Sequence, residues 1–305
     1  MFSCLMVGVG NKAYALNRNI QQKQILLFNT ASGAIATFVL FVWGGIEKIS
    51  TFSLLLGIAF GVITMLQQFC MLSALQCGPM AYTILIDVLS AIIPAISGIL
   101  IWHEQVKVLQ IIGVALMVLC FYLSIQPNES EKRASARWLT FSFGTFLCTG
   151  AIGVLQKWHQ MSAYQSELNG FLATSFSVYT VIALLVSVKW IGFSEEQRKA
   201  AKNVATLRNL LLALMVGLCC AVNNKLNLYL SGVIDSMLFF PLVNGGNIIL
   251  TTIMSFAVFH EKLSKRQWGG MLVGMIAVLS LSHSIYQELL SRPKYYASAG
   301  MIPTK

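Results

Sequence analysis

The sequence predicts an all-α integral membrane protein of ten transmembrane helices, arranged as two inverted five-helix repeats. Three observations carry that prediction: the composition, the length of the apolar segments and an internal duplication. Of the 305 residues, 56% are hydrophobic and 10% charged, and the mean hydropathy is +0.72. A soluble domain carries about a quarter charged residues. Here the charges gather between apolar runs long enough to cross roughly 30 Å of hydrocarbon.

In order, the apolar runs of the first half fall at 2–17, 25–43, 53–75, 80–102 and 106–125. Those of the second fall at 138–157, 168–188, 210–230, 236–259 and 267–286. Each is expected to be a helix, because a helix satisfies its own backbone in lipid and none of the runs has the period-two alternation of a barrel strand. All six tryptophans, from Trp43 to Trp268, lie at segment ends, where an interfacial belt would put them. The seven cysteines sit inside apolar runs without CxxC or Cys/His spacing. They read as small hydrophobes, and neither a disulfide framework nor a metal site is expected.

The duplication is read from His103-Glu104, which recurs as His260-Glu261. That shift, 260 − 103 = 157, also brings Met80 onto Met237, Gln110 onto Gln267 and Gly113 onto Gly270. A second register, 153 − 10 = 143, puts Gly10 on Gly153, Phe28 on Phe171 and Ser32 on Ser175. The difference of 14 residues matches a longer charged loop, Gly192 to Asn209. The chain therefore divides into a first repeat (1–125), a linker (126–137), a second repeat (138–286) and a polar tail (287–305).

An odd number of spans per repeat turns the second repeat over in the membrane. The loops after spans one, five, seven and nine hold thirteen basic residues, and the opposite face, Lys157 included, holds six. By the positive-inside rule the first face is cytoplasmic and both termini lie outside. The net charge of +10 is then a topology signal and not a nucleic-acid footprint.

Two halves of five short helices, each with a Glu after its fourth helix and a Gly-containing fifth helix, resemble the EamA-type branch of the drug/metabolite transporter superfamily. The residues that carry the likeness are Glu104 with Gln110-Ile111-Ile112-Gly113, and Glu261 with Gln267-Trp268-Gly269-Gly270. The resemblance covers nearly the whole chain. It implies a central cavity lined by helices one to four and six to nine, with helices five and ten peripheral, and it leaves the substrate open. Such proteins commonly keep both termini in the cytoplasm, so the charge bias and the short first helix are departures.

Three ionisable residues lie inside the spans: Lys12, Asp87 and Lys225. Facing lipid at the bilayer centre, each would cost about 2.5 to 3.5 kcal/mol, so they are expected to face water or one another. Asp87 is a candidate proton or cation site, the alternative being a structural pair with Lys12. The lysines are candidate binders of a substrate carboxylate or phosphate, the alternative being snorkelling to the interface. At the 157 shift Gln67 falls on Asn224, Gln68 on Lys225 and Asp87 on Asn244, and Asn247 follows one turn later. Polar groups at matching depths suit a midplane site at a repeat interface. Otherwise they are interhelical glue worth about 0.6 kcal/mol per bond. Pro94, Pro241 and Gly245-Gly246 are candidate kinks or hinges, and Gly270 with Gly274 forms a GxxxG pattern that marks close packing or a homodimer face.

The His-Glu pairs are not HExxH zinc sites, because Lys107 and Ser264 stand where the second His is required. Glu104 and Glu261 are expected to favour the positive end of the helix that follows each. All four histidines fall at span ends, no carboxylate pair lies in the interior and no GxxxxGK[ST] loop occurs. Neither an enzyme nor an ATP-driven pump is expected. The reading is a secondary transporter of a small-molecule solute in the cell membrane, contacting lipid and needing no cofactor. It works by alternating access driven by protons or by the solute gradient, proton-coupled export being one form. A channel or a non-transporting accessory membrane protein is the alternative, and an intramembrane enzyme the least favoured.

Overall fold

A computed structural model describes residues 3, 6–7, 10, 14, 22–44, 49–77, 80–104, 106–124, 135–191, 206–257 and 264–291. In chain order the helices are α1 (Gln22–Gly44), α2 (Thr51–Cys77), α3 (Met80–Leu89), α4 (Ile92–Trp102), α5 (Val108–Ser124) and α6 (Ala136–Gln160). After a 3-10 turn (Gln165–Glu167) come α7 (Leu168–Ile191), α8 (Leu207–Val233), α9 (Ser236–Ala257) and α10 (Lys265–Ser291). No strand occurs among the described residues. Among the described residues six stretches are long and apolar enough to cross a membrane: Leu27–Gly44, Thr51–Leu75, Tyr82–Trp102, Ala136–Gln160, Gln165–Lys189 and Leu207–Val233. Val108–Cys120 and Trp268–Ser280 are shorter apolar helices. Most of the expected first span, the second His-Glu pair and nearly all of the linker lie outside the described residues.

Helix starts follow local chemistry. Ser50 caps α2, its Oγ accepting the Ser53 N–H at 3.2 Å, and Ser135 caps α6 by accepting the Trp138 N–H at 3.1 Å. At α5 the Lys107 N–H donates to Gln110 Oε1 at 2.8 Å, the reverse half of a capping box.

The expected fourth span is not one helix but two. A proline has no N–H to give the carbonyl four residues back, and its ring crowds that carbonyl. Four residues before Pro94 stands Ser90, and there the helix breaks: Ser90 and Ala91 form a turn, with Ile93 N–H bonded to Ser90 O at 2.9 Å and Ala91 N–H to Val88 O at 3.2 Å. Pro241 lies inside α9, where it withholds the N–H that would bond the Met237 carbonyl, and α9 continues through it.

The chain forms two compact units, each drawing on both halves of the sequence: 1–72 with 159–228, and 73–158 with 229–305. In the first unit α1 packs against α7. Thr30 meets Ser187 at 3.4 Å and Thr37 meets Thr180 at 3.3 Å, so one helix ascends in number as the other descends and the pair is antiparallel. Small residues allow close approach. A Cβ on Gly61 of α2 would lie 2.5 Å from the Ser175 carbonyl of α7, and one on Gly217 of α8 would lie 2.7 Å from the Ser32 carbonyl of α1. Phe28, Phe171 and Leu172 are buried at the centre.

In the second unit α5 packs against α10, α9 touches α4, α5 and α10, and α3 leans on α5. Met117, Leu238 and Ala277 form its core, against which Leu85, Val88 and Leu89 of α3 pack. A Cβ on Gly153 of α6 would sit 2.8 Å from the Pro94 ring, so α4 and α6 meet closely at the break. Gly274, half of the GxxxG pattern, faces Cys120 and Ile249 of the same unit.

Large apolar side chains point outward, among them Val42, Leu100 and Leu279, each 70% exposed. Such a surface suits lipid rather than water. Trp43, Trp158 and Trp268 are likewise exposed, but Trp138 departs from the expected belt. It is buried, and its indole N–H donates to Thr83 Oγ1 at 2.8 Å, the partner a buried indole needs.

Candidate functional site

Asp87 lies on α3, one turn before the Ser90 break. Leu85, Val88 and Leu89 pack into the core of the second unit, while half-buried Asp87 accepts a 2.6 Å hydrogen bond from Thr149 Oγ1 of α6. A bond that short to a carboxylate is charge-assisted. Three residues on, the Ser90 hydroxyl is 1% exposed and has no hydrogen-bond partner among the described residues. The arrangement is a carboxylate in an apolar helical run, a donor hydroxyl and a buried hydroxyl beside an interrupted helix. Its chemistry suits a proton or a small cation. On α9 of the same unit, Asn244 and Asn247 are half-buried on either side of Gly245-Gly246, and Met117 lies against Gly245.

The remaining sequence-predicted residues belong to the first unit. Gln67 and Gln68 are half-buried on α2. Nearby a groove of about 400 Å³ is lined by Val62, Met65, Leu66, Phe69, Ile182 and Lys189, an apolar wall with one cation. Asn224 donates to the Cys220 carbonyl of its own helix at 2.9 Å. Lys225 places its ammonium 4.0 Å from the centre of the Trp43 ring, a cation–π contact at the end of α1. Lys12 lies outside the described residues.

The duplicated turn is structural in a way that differs from expectation. His103 sits in the left-handed region with φ 53°, closing α4 as the Glu104 N–H bonds back to Gly98 O at 3.1 Å. The Glu104 carboxylate does not serve the helix that follows it. It accepts the Ser236 N–H at 2.7 Å and the Ser236 hydroxyl at 3.1 Å, capping α9 instead. Lys157, counted above among the loop charges, is 3% exposed, paired with Glu104 at 2.8 Å and donating to the Ile234 carbonyl at 3.1 Å. Gly98 leaves the room, since a Cβ there would strike Glu104 and lie 2.8 Å from Ser236 Cβ.

His159 lies at the end of α6, as expected of a span end. It is fully buried there, stacked on Phe171 at 4.3 Å, with Ser53 Oγ 3.2 Å from Nε2 and Gln160 Nε2 3.1 Å from Nδ1. Ser53 lies 3.2 Å from Ser50 Oγ, and Ser50 donates its hydroxyl at 2.6 Å and its N–H at 2.9 Å to Glu167. The partners are 106 and 117 residues apart, so no local spacing announces them. Among the described residues no group of three or more His, Cys, Asp or Glu side chains is placed to hold a metal ion.

Apolar helices of membrane length under an apolar outer surface define a helical, multi-pass membrane protein. No protein-family model matches the chain. An uncharacterized protein of Haemophilus influenzae is 26% identical over 204 residues, 63% of this chain, and the chain spans only 63% of that relative. A crystallographically solved protein, 12% identical, matches with a TM-score of 0.65 over 94% of this chain and 96% of its own. At that identity the likeness concerns the fold alone.

Proposed function

We propose that this protein is a secondary transporter of the EamA type in the drug/metabolite transporter superfamily, moving a small metabolite or drug-like solute across the cell membrane by alternating access. The observation that carries the proposal is Asp87 beside an interrupted transmembrane helix, held by Thr149 and followed by the unsatisfied Ser90 hydroxyl. Discontinuous helices with exposed backbone ends form the ion and substrate sites of many transporters. Asp87 is the residue we assign to the coupling proton or cation, with Asn244 and Asn247 as solute contacts.

Two inverted repeats of five spans are supported by contacts within each unit. Gly61 lies against the Ser175 carbonyl and Gly217 against that of Ser32. Ser32 and Ser175 are counterparts at the 143 register, and 217 − 61 = 156 is one residue from the other register. Ser32 donates to Phe28 O at 2.9 Å and Ser175 to Phe171 O at 2.7 Å. The second unit repeats the reciprocity: Gly274 lies on Cys120 while Met117 and Ala277 share a cluster, and at 157 these are two counterpart pairs exchanged. On this reading α3 and α4 together are the fourth of ten spans.

The experiment is flux in vesicles reconstituted with the full chain, screened over amine, amino-acid and nucleotide-sugar solutes with and without a proton gradient. Asp87→Asn is expected to abolish gradient-driven flux while helical content is retained. Unchanged flux in that variant would overturn the assignment of Asp87, and gradient-independent, non-saturating flux would favour a channel.

A further inference from the structure

We propose that Glu167, Ser50, Ser53 and His159 form a proton relay that ends in a proton-binding site on the buried His159 imidazole. The chain begins at the turn between α6 and α7, where Ala163, Tyr164, Gln165 and Ser166 are exposed and Glu167 is half-buried. From the Glu167 carboxylate the links are 2.6 Å to Ser50, 3.2 Å to Ser53 and 3.2 Å to His159 Nε2, each within hydrogen-bond reach. Every member can both give and receive a proton. The far end is closed: His159 is fully buried, with Phe171 on its face, and Phe60 packs edge-on against Phe171 at 5.4 Å.

Capping of α2 accounts for Ser50 and Glu167, since one N–H and one hydroxyl reach the carboxylate there. It does not account for an imidazole at the next position inward. In the first half Tyr14 stacks on Phe28 at 4.0 Å, and Phe28 is the counterpart of Phe171. On Phe171 the stacked ring is His159, which two hydroxyls join to a carboxylate.

The proton balance closes within the chain. In the receptive state His159 carries its proton on Nδ1 and donates it to Gln160 Oε1, which a half-turn of that amide brings to the position now held by its nitrogen. With Glu167 protonated, its O–H donates to Ser50, Ser50 to Ser53 and Ser53 to Nε2. Moving each proton one link leaves a Glu167 carboxylate, an imidazolium and two intact hydroxyls with their bonds reversed. One proton has entered and no other reactant is consumed. Among the described groups around the ring, α2 offers Ser50 and Ser53, α7 offers Phe171, and the turn offers Glu167 and Tyr164, whose ring lies on Phe52. On α6 itself Lys157 is engaged by Glu104. Glu167 is therefore the counter-charge an imidazolium at His159 would have.

Nitrogen-15 histidine spectra of the full chain in lipid nanodiscs test this, with His159→Gln assigning the signal. The expected result is a ring that passes to imidazolium over some range as the pH is lowered. In that range its Nε2 proton should exchange with water about tenfold faster in the wild type than in Ser53→Ala, and Ser53→Thr should restore the rate. Glu167→Gln should slow exchange in the same way. A ring that stays neutral throughout, or exchange that is as fast in Ser53→Ala, would overturn the relay. Use of the stored proton to drive solute rests on the transport reading. The spectra decide the relay whether or not wild-type vesicles move solute, so the two failures are told apart.

Discussion

Thr37 Oγ1 lies 3.3 Å from Thr180 Oγ1, and the two threonines are counterparts in the 143-residue register. A residue that touches its own counterpart is the contact that a local two-fold between α1 and α7 would give. Because α1 and α7 are antiparallel, such an axis would lie perpendicular to the two helices. This is the relation that the proposed inverted repeat requires.

The glycine pair should respond symmetrically. Gly61→Ala and Gly217→Ala each press a methyl onto a backbone carbonyl that cannot swing away. Each is expected to destabilise the protein by about 1 to 3 kcal/mol, the usual range for overpacking. Thermal unfolding in detergent measures it. A large loss in one variant and none in the other would argue against the two-fold.

Lys157→Met should be far more damaging than its position near a helix end suggests. Removing one partner of a buried ion pair strands the other charge, at about 3 to 5 kcal/mol. The double variant Glu104→Gln with Lys157→Met should recover part of that loss. Additive losses in a double-mutant cycle would show that the 2.8 Å pair is not coupled.

Pro94→Ala should mend the helix break. A restored N–H can bond the Ser90 carbonyl, and hydrogen exchange across residues 88–95 is expected to slow. The gain is offset in part because the Pro94 ring packs on Gly153. Vesicle flux is expected to fall at least tenfold even if the protein melts later. Full activity with a protected, continuous helix would separate the break from transport.

Lys225→Met and Trp43→Leu should each lower stability by about 0.5 to 2 kcal/mol, with the double variant no worse than either. That pattern follows from an ammonium committed to a ring 4.0 Å away. If Lys225→Met instead removes only anionic solutes from the transported range, the lysine binds substrate.

Much of the fold is written in apolar run length, which is local and survives reading one residue at a time. The Ser90 break is also local, since Pro94 points back four residues to it. Asp87 stands out because a carboxylate in an apolar run is costly unless it is paired or faces water. The pairing of Glu104 with Lys157 and the path from Glu167 to His159 were illegible for one physical reason. Each joins side chains that chain order separates and packing brings together, and a helix end in the sequence says nothing about burial. His159 looked peripheral because α6 ends at the next residue, yet the turn beyond it folds Glu167 back toward α2.

The brevity of α3 has an electrical consequence. Ten helical residues rise about 15 Å, half of a 30 Å hydrocarbon layer. On the transport reading, with α3 entering from one membrane face, the break at Ser90 would fall near the middle of the voltage drop. A monovalent cation reaching it would cross roughly half the membrane potential, about 1.2 kcal/mol per 100 mV. On that reading, a proline placed four residues past a serine would set how strongly voltage alone loads or empties a cation site there.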